Sequence, residues 1–273
     1  MTGLLLVLVL WLIWFSLRYA WWRPVVPYRH PRILMYHMVS PRRKGAKFNG
    51  LRVSPKHFEA QLAFLKKDGW HFFTMSELWQ QWDVLPEKSI AITFDDGYAD
   101  NLENALPLLE RYDAKATIYM VVDRHNRDWS THKKAHHDSG ELAREPKLTD
   151  AQMQELVNSG RIEIASHTLT HINMATTSVE VKRHELQAAR EQLQKLCNQP
   201  VLSFAYPFGI FSDEDVQLAR ECGYETAVTT VDGIDCREPR PDPLRLKRIK
   251  VSGKDNQLAF VLRVRGGKRG LKK

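Results

Sequence analysis

Cysteine is scarce in this chain. Its 273 residues include three cysteines, at positions 197, 222 and 236, an odd number without a Cys-x-x-Cys spacing. This scarcity excludes a disulfide-stapled fold and a cysteine-based zinc motif. Cys197 and Cys222 fall in helix-like stretches, which predicts buried core thiols. Stability must therefore come from a hydrophobic core, and 43% hydrophobic residues suffice for one domain of barrel size.

The sequence also lacks an internal repeat and a nucleic-acid-binding motif. Its formal net charge is +8, but the basic residues are scattered rather than clustered on one recognisable element. We therefore predict no nucleic-acid partner. The charge is better suited to a membrane surface or to an anionic glycolipid.

No basic residue precedes the apolar segment at the N-terminus, although several follow it. Residues 4–17 carry no charge, and Arg18, Arg23 and a Trp-rich stretch come next. We predict an uncleaved membrane anchor over residues 1–23, with a membrane-surface segment as the alternative. The positive flank predicts a single-pass protein of the bacterial inner membrane with its domain in the cytoplasm. The periplasm is the alternative.

Predicted strands and helices alternate along the rest of the chain. This pattern favours a parallel α/β fold, either a barrel or a doubly wound sheet. We place a linker at residues 24–31, the domain at 32–252 and a basic tail at 253–273. Ser54, Ser76, Thr149 and Ser212 are predicted to cap the helices that follow them. Residues 123–147 form a polar insertion whose four histidines have no regular spacing. We expect a mobile flap over the site, with a histidine metal site as the alternative.

The segment TFDDGY (residues 93–98) follows an apolar run that reads as a buried strand. Neighbouring side chains of a regular strand point to opposite faces, so Asp95 and Asp96 can share a site only where the strand ends and the backbone turns. In α/β folds that carboxyl end is where active sites lie. A solvated turn is the alternative interpretation.

The segment SHTLTH (residues 166–171) follows a second apolar run. One carboxylate and two imidazoles provide three ligands for a divalent metal and leave room for water. The neighbouring carboxylate could then accept a proton from that water. A His-x-x-x-His pair alone is a weak signal, but its position at the end of a second predicted strand strengthens it.

A third segment, FAYPFG (residues 204–209), again follows a strand-like run. The three motifs in this order resemble the polysaccharide deacetylases with NodB homology, carbohydrate esterase family four. The resemblance covers roughly residues 30–250 and implies an incomplete seven-stranded (β/α) barrel. MYHMV (35–39) and VSP (53–55) look most like the circularly permuted branch that contains the poly-N-acetylglucosamine deacetylases.

The resemblance implies hydrolysis of an N-acetyl group on a hexosamine, with the following roles for residues of this chain. Asp96, His167 and His171 hold a divalent metal, for which zinc is expected. Asp95 is the general base, and the backbone N–H of Phe208 helps to hold the oxyanion.

The chain departs from the family pattern at two points. It has no histidine after His184, where most relatives carry their general acid. The permuted branch places that histidine in the first strand, and His37 fits, with a structural core histidine as the alternative. Ala205 replaces an arginine that orients the base in many relatives, and Arg248 is the candidate substitute.

These features predict a metal-dependent deacetylase acting on an N-acetylhexosamine in a cell-surface glycan or glycolipid. The anchor prediction suggests a narrower substrate, the lipopolysaccharide core or a lipid-linked sugar. One alternative is an extracytoplasmic deacetylase of exopolysaccharide or peptidoglycan. An alternative of another class is an inactive, membrane-tethered glycan-binding protein.

Overall fold

A computed structural model describes residues 2–133 and 139–267. The strands are β1 (Arg32–Tyr36), β2 (His71–Phe73), β3 (Ser89–Asp95), β4 (Ala116–Met120), β5 (Ile162–Ser166), β6 (Ser203–Ala205), β7 (Thr226–Asp232) and β8 (Leu246–Lys250). The helices are α1 (Thr2–Tyr19), α2 (Pro55–Lys67), α3 (Met75–Gln80), α4 (Leu106–Arg111), α5 (Ser130–Lys133), α6 (Asp150–Asn158), α7 (Val179–Cys197), α8 (Asp213–Glu221) and α9 (Gln257–Gly266).

Seven parallel strands close into a barrel. The sheet runs β1-β8-β7-β6-β5-β4-β3, and β1 pairs with β3 to complete the ring. Strand β2 pairs with the amino-terminal part of β3, on the edge that β4 occupies further along. The structure thus selects the barrel from the two predicted architectures. Its strands all point the same way, so their carboxyl ends meet at one mouth.

Helix caps follow the predicted chemistry with one exception. The hydroxyls of Ser54, Thr149 and Ser212 each accept a hydrogen bond from a backbone N–H in the first turn of α2, α6 and α8. The predicted cap at Ser76 is wrong. Thr74 is the N-cap of α3, and the Glu77 carboxylate completes a capping box by accepting a hydrogen bond from the Thr74 N–H. The helix therefore begins two residues earlier than a cap at Ser76 would place it.

One apolar layer of side chains lies inside the barrel. Each strand of the ring contributes one buried residue to this layer: Ile33, Ala91, Tyr119, Ala165, Ala205, Val228 and Leu246. Met75, Leu78 and Trp82 belong to the same cluster and close the amino-terminal end of the barrel. Since alternate residues of a strand share a face, the inward positions nearer the mouth include Thr93 and Asp95 on β3, His167 just after β5, and Arg248 on β8.

The insertion is tied to the barrel by ion pairs. Arg52, which is fully buried, contacts Glu141 at 3.0 Å and Glu145 at 2.9 Å. Arg43 adds an exposed contact of 2.6 Å to Glu145. We call these four residues the two-loop clasp. It joins residues 43–52 to residues 141–145, so this described part of the predicted flap is tied to the barrel rather than mobile. Residues 134–138, which include His136 and His137, lie outside the described residues.

Part of the predicted C-terminal tail is a packed helix. In α9, Phe260 packs edge-on against Phe64 of α2, with ring centroids 6.2 Å apart. Arg263 is 3% exposed and forms an ion pair with Asp255 at 2.8 Å. At least one basic residue of the predicted tail, Arg263, is thus buried and paired inside the fold. Residues 268–273 lie outside the described residues.

The N-terminal segment differs from its prediction. Within residues 2–133 and 139–267, no helix has the length and apolar character needed to cross a bilayer. Helix α1 has 18 residues, about 27 Å, against a hydrocarbon core of ~30 Å. It ends at Tyr19 because Ala20 takes a left-handed φ of 46°, so Trp21 and Trp22 do not extend it. The predicted spanning anchor over residues 1–23 is therefore not supported.

We predict that Arg52→Met lowers the free energy of unfolding by about 3 kcal/mol or more, because it leaves two poorly exposed carboxylates without their shared cation. Denaturant unfolding measures the loss. Arg43→Met is the matched control, since it removes a contact to the same Glu145 from a side chain that is 57% exposed. The control should cost less than ~1 kcal/mol. Equal losses in the two variants would contradict the role of the clasp.

Candidate active site

The two adjacent aspartates lie where β3 ends. Asp95 is the last residue of the strand, and Asp96 follows it with a left-handed φ of 78°. This turn places both carboxylates at the mouth, where both residues are 3% exposed. Gly97 also has a positive φ, of 71°, and a Cβ there would lie 2.6 Å from the Met120 sulfur. The glycine is thus required both by the turn and by the close approach of β4.

The two histidines are brought together by a second strained turn. His167 directly follows β5, and Thr168 and His171 take left-handed φ values of 67° and 57°. The Thr168 hydroxyl accepts the His171 N–H at 2.9 Å. Glu185 on α7 accepts from the Thr170 N–H at 2.8 Å and from its hydroxyl at 2.7 Å. Helix α7 therefore fixes the loop that carries both imidazoles.

Asp96, His167 and His171 form a three-ligand set. Their ligand atoms all lie within 4.8 Å of one another, and Oδ1 of Asp96 is 3.5 Å from Nε2 of His167 and 3.4 Å from Nε2 of His171. Two ligands of one tetrahedral zinc ion lie ~3.4 Å apart, given bond lengths near 2.1 Å. The spacing and the carboxylate–imidazole chemistry therefore fit zinc.

The protonation states suit metal binding. The Ala205 carbonyl accepts a hydrogen bond of 2.7 Å from Nδ1 of His167, which leaves the Nε2 lone pair directed toward Asp96. Burial and the neighbouring His171 lower the pKa of His167 to about 4, so its imidazole is neutral at pH 7. Burial alone would raise the pKa of Asp96, but contact with His171 and the proximity of His37 and His167 lower it.

Asp95 has a different partner. Arg248 of β8 binds it through two parallel hydrogen bonds, 2.6 Å to Oδ1 and 2.8 Å to Oδ2. The same guanidinium donates to the Thr229 carbonyl at 2.8 Å and to the Thr93 hydroxyl at 3.1 Å. Burial alone would raise the pKa of Asp95, but the charge and hydrogen bonds of Arg248 outweigh it and lower the pKa. Asp95 is thus held ionised and in one orientation.

The two aspartates and the two histidines line one pocket of about 430 Å³, and Arg248 lies outside its lining. His37, which directly follows β1, lines the same pocket. Phe208 lines it too, with a left-handed φ of 59° after Pro207. The structure therefore brings together every residue that the sequence singled out. The catalytic roles of Asp95, His37, Phe208 and Arg248 remain predictions, as does metal binding by Asp96, His167 and His171.

Sequence reasoning missed three groups near this site: Trp129, Glu185 and Lys250. Trp129 and Lys250 line the pocket, and Glu185 holds the histidine loop from behind. Trp129 lies in the polar insertion, where no periodicity marked it. Lys250 is two positions after Arg248 on β8, so strand alternation could have placed it on the same inward face.

Comparison with known proteins decides the family. The model of the polysaccharide deacetylase family matches residues 83–227, which is more than half of the chain. The chain belongs to the polysaccharide deacetylase family. It is therefore a hydrolase that acts on amide bonds and removes acetyl groups from an N-acetylated glycan.

Other family members are similar over most of this deacetylase. The chain is 34% identical over 236 residues to YxkH of Bacillus subtilis, a protein described as a polysaccharide deacetylase, covering 85% of this chain and 75% of YxkH. A polysaccharide deacetylase structure from Bacillus cereus superposes with a TM-score of 0.73 at 30% identity, covering 86% of this chain and 69% of the other. The Streptococcus pyogenes deacetylase PplD, solved with acetate, gives 0.70 at 27%, covering 88% and 99%.

We predict that Arg248→Met moves the acidic limb of the pH–rate profile of this deacetylase to higher pH. In the wild type, Arg248 keeps the pKa of Asp95 low, so the carboxylate form persists as the pH falls. Without the guanidinium, burial dominates and raises that pKa, and activity is lost at a higher pH. The profile of kcat/KM against pH measures the shift.

Arg32→Lys is the control, because Arg32 is equally buried but donates to backbone carbonyls, including that of Val264 at 3.0 Å. Its acidic limb should not move. An unshifted limb in Arg248→Met would show that Asp95 does not depend on Arg248.

Proposed function

We propose that the protein is a zinc-dependent N-deacetylase of N-acetylglucosamine units in a glycan. The observation that carries this proposal is the arrangement of two buried carboxylates in one pocket with two different partners. The ligand atoms of Asp96, His167 and His171 are spaced as they would be around one zinc ion, whereas Asp95 is held by Arg248. A zinc ion bound there would polarise the acetamide carbonyl and lower the pKa of an attacking water.

The protein groups divide the remaining tasks. Asp95 is ionised and within the pocket, so it would accept the proton of the attacking water. His37 lies at the end of β1 and would deliver a proton to the departing amine. The backbone N–H of Phe208 would donate to the carbonyl oxygen as negative charge develops there, and Pro207 constrains the turn that presents it.

The first candidate substrate is poly-N-acetylglucosamine or a similar exopolysaccharide. A poly-β-1,6-N-acetyl-D-glucosamine N-deacetylase of Staphylococcus epidermidis is 24% identical over 210 residues, covering 73% of this chain and 68% of that protein. The second candidate is the lipopolysaccharide core or a lipid-linked sugar. It is favoured by the exposed cations Arg42, Lys44 and Lys47 in the loop beside the pocket residue Phe48.

We predict that Asp95→Asn lowers kcat for acetate release by about 10²-fold or more, because the amide cannot accept the proton. Zinc content should stay at the wild-type level, since Asp96, His167 and His171 are untouched. The assay uses β-1,6-linked N-acetylglucosamine oligomers, peptidoglycan and lipopolysaccharide core as parallel substrates. Asp83→Asn, which alters an aspartate with a 70% exposed side chain, is the control and should retain full activity.

The substrates that release acetate from the wild type identify the glycan. Full activity of Asp95→Asn would remove Asp95 as the base. Wild-type protein that binds no zinc, or that keeps its activity after chelation, would overturn the metal-dependent mechanism.

The compartment of the domain separates the two candidate substrates. Alkaline phosphatase fused to the C-terminus becomes active only outside the cytoplasm, whereas a green fluorescent protein fusion reports the cytoplasm. We expect phosphatase activity if an exported exopolysaccharide is the substrate. Fluorescence would instead support the cytoplasmic placement predicted from the flanking arginines and, with it, a lipid-linked sugar.

A further inference from the structure

Trp129 of the insertion packs directly on His171. The ring centroids are 4.9 Å apart and the ring planes differ by 21°, which is a stacked arrangement. Two other rings meet the same imidazole edge-on, Phe208 at 4.4 Å and His167 at 4.7 Å. The His171 imidazole is therefore stacked on the indole of Trp129 and contacted by the rings of Phe208 and His167 at steep angles.

The indole is itself held by a buried cation. Nζ of Lys147 lies 4.8 Å from the Trp129 ring centroid and 4.5 Å from that of Tyr98. The ammonium also donates to the carbonyls of Leu142 at 2.7 Å and Glu145 at 3.1 Å. Since Glu145 belongs to the two-loop clasp, the position of Trp129 is linked to the ion pairs that tie the insertion to the barrel.

We propose that Trp129 is a positioning residue that fixes the plane of the His171 imidazole for metal binding. The terminal torsion of a histidine has a broad energy profile, and stacking restricts it. A fixed ring plane keeps Nε2 of His171 at 3.4 Å from Oδ1 of Asp96 before a metal ion binds. Less side-chain entropy is then lost when the ion binds. The inference rests on the metal site of the proposed function.

A sugar-stacking platform is the rival role for a tryptophan in a glycan pocket. Trp129 is 2% exposed, so almost none of its surface is available to a substrate. Its ring face is already occupied by His171. Loss of the indole should therefore weaken metal binding and leave the KM for substrate at saturating zinc unchanged.

The test measures the zinc affinity of the metal-free protein by competition with a chromophoric chelator, and the visible spectrum of the cobalt(II)-substituted protein. In Trp129→Leu we expect zinc affinity to fall about 10–100-fold, the range typical for residues that orient a metal ligand, and the cobalt bands to change. Trp129→Phe keeps a ring and should lose less affinity. Trp82→Leu removes a buried indole at the opposite end of the barrel and should leave affinity and spectrum unchanged.

Each outcome is decisive. Wild-type zinc affinity and an unaltered cobalt spectrum in folded Trp129→Leu would overturn the inference, and a raised KM alone would support the sugar platform. If Trp129→Leu fails to fold, Lys147→Met takes its place, because it removes the cation that holds the indole. Unchanged affinity in that variant would also overturn the inference. Failure of the wild type to bind zinc would instead refute the proposed function.

Discussion

Burial of two adjacent carboxylates is the constraint on which the site depends. Neither Asp95 nor Asp96 could stay ionised at 3% exposure without compensation. The chain compensates them separately, Asp95 with the guanidinium of Arg248 and Asp96 with its contact to His171 and the cation that the two imidazoles would share with it. This separation would let two chemically identical side chains take different roles, Asp95 as the proposed base and Asp96 as the proposed metal ligand.

Of the nine non-glycine residues with a left-handed φ in the described ranges, four lie at this site. Left-handed φ values occur at Asp96, Thr168, His171 and Phe208, none of which is glycine. Such conformations persist only when the surroundings over-determine them. The surroundings here include Glu185 behind the histidine loop, the close contact of Gly97 with β4 and the aromatic rings around His171. The barrel and its insertion thus hold turns that an isolated peptide would not adopt.

Some features could be predicted because their causes are local. Strands that end in polar motifs, together with the serine and threonine caps at Ser54, Thr149 and Ser212, depend on neighbours within a few residues. Other features depend on distant chain segments. Arg248 is 153 positions from Asp95 in sequence. The sequence could therefore suggest it as a partner of Asp95 but could not distinguish it from other arginines of the chain. The spanning anchor and the basic tail were inferred from composition, which did not show that α1 stops at Tyr19 or that Arg263 pairs with Asp255.

The sequence by itself determined the chemical identity of the site and its place at strand ends, because motif spacing and strand alternation are properties of the chain alone. The tertiary structure decided which groups meet. Closure of the ring through β1 and β3 brings His37, both aspartates and both histidines to one mouth. The clasp then carries Trp129 onto His171, a contact that no local pattern encodes, since it depends on where a polar insertion returns to the barrel.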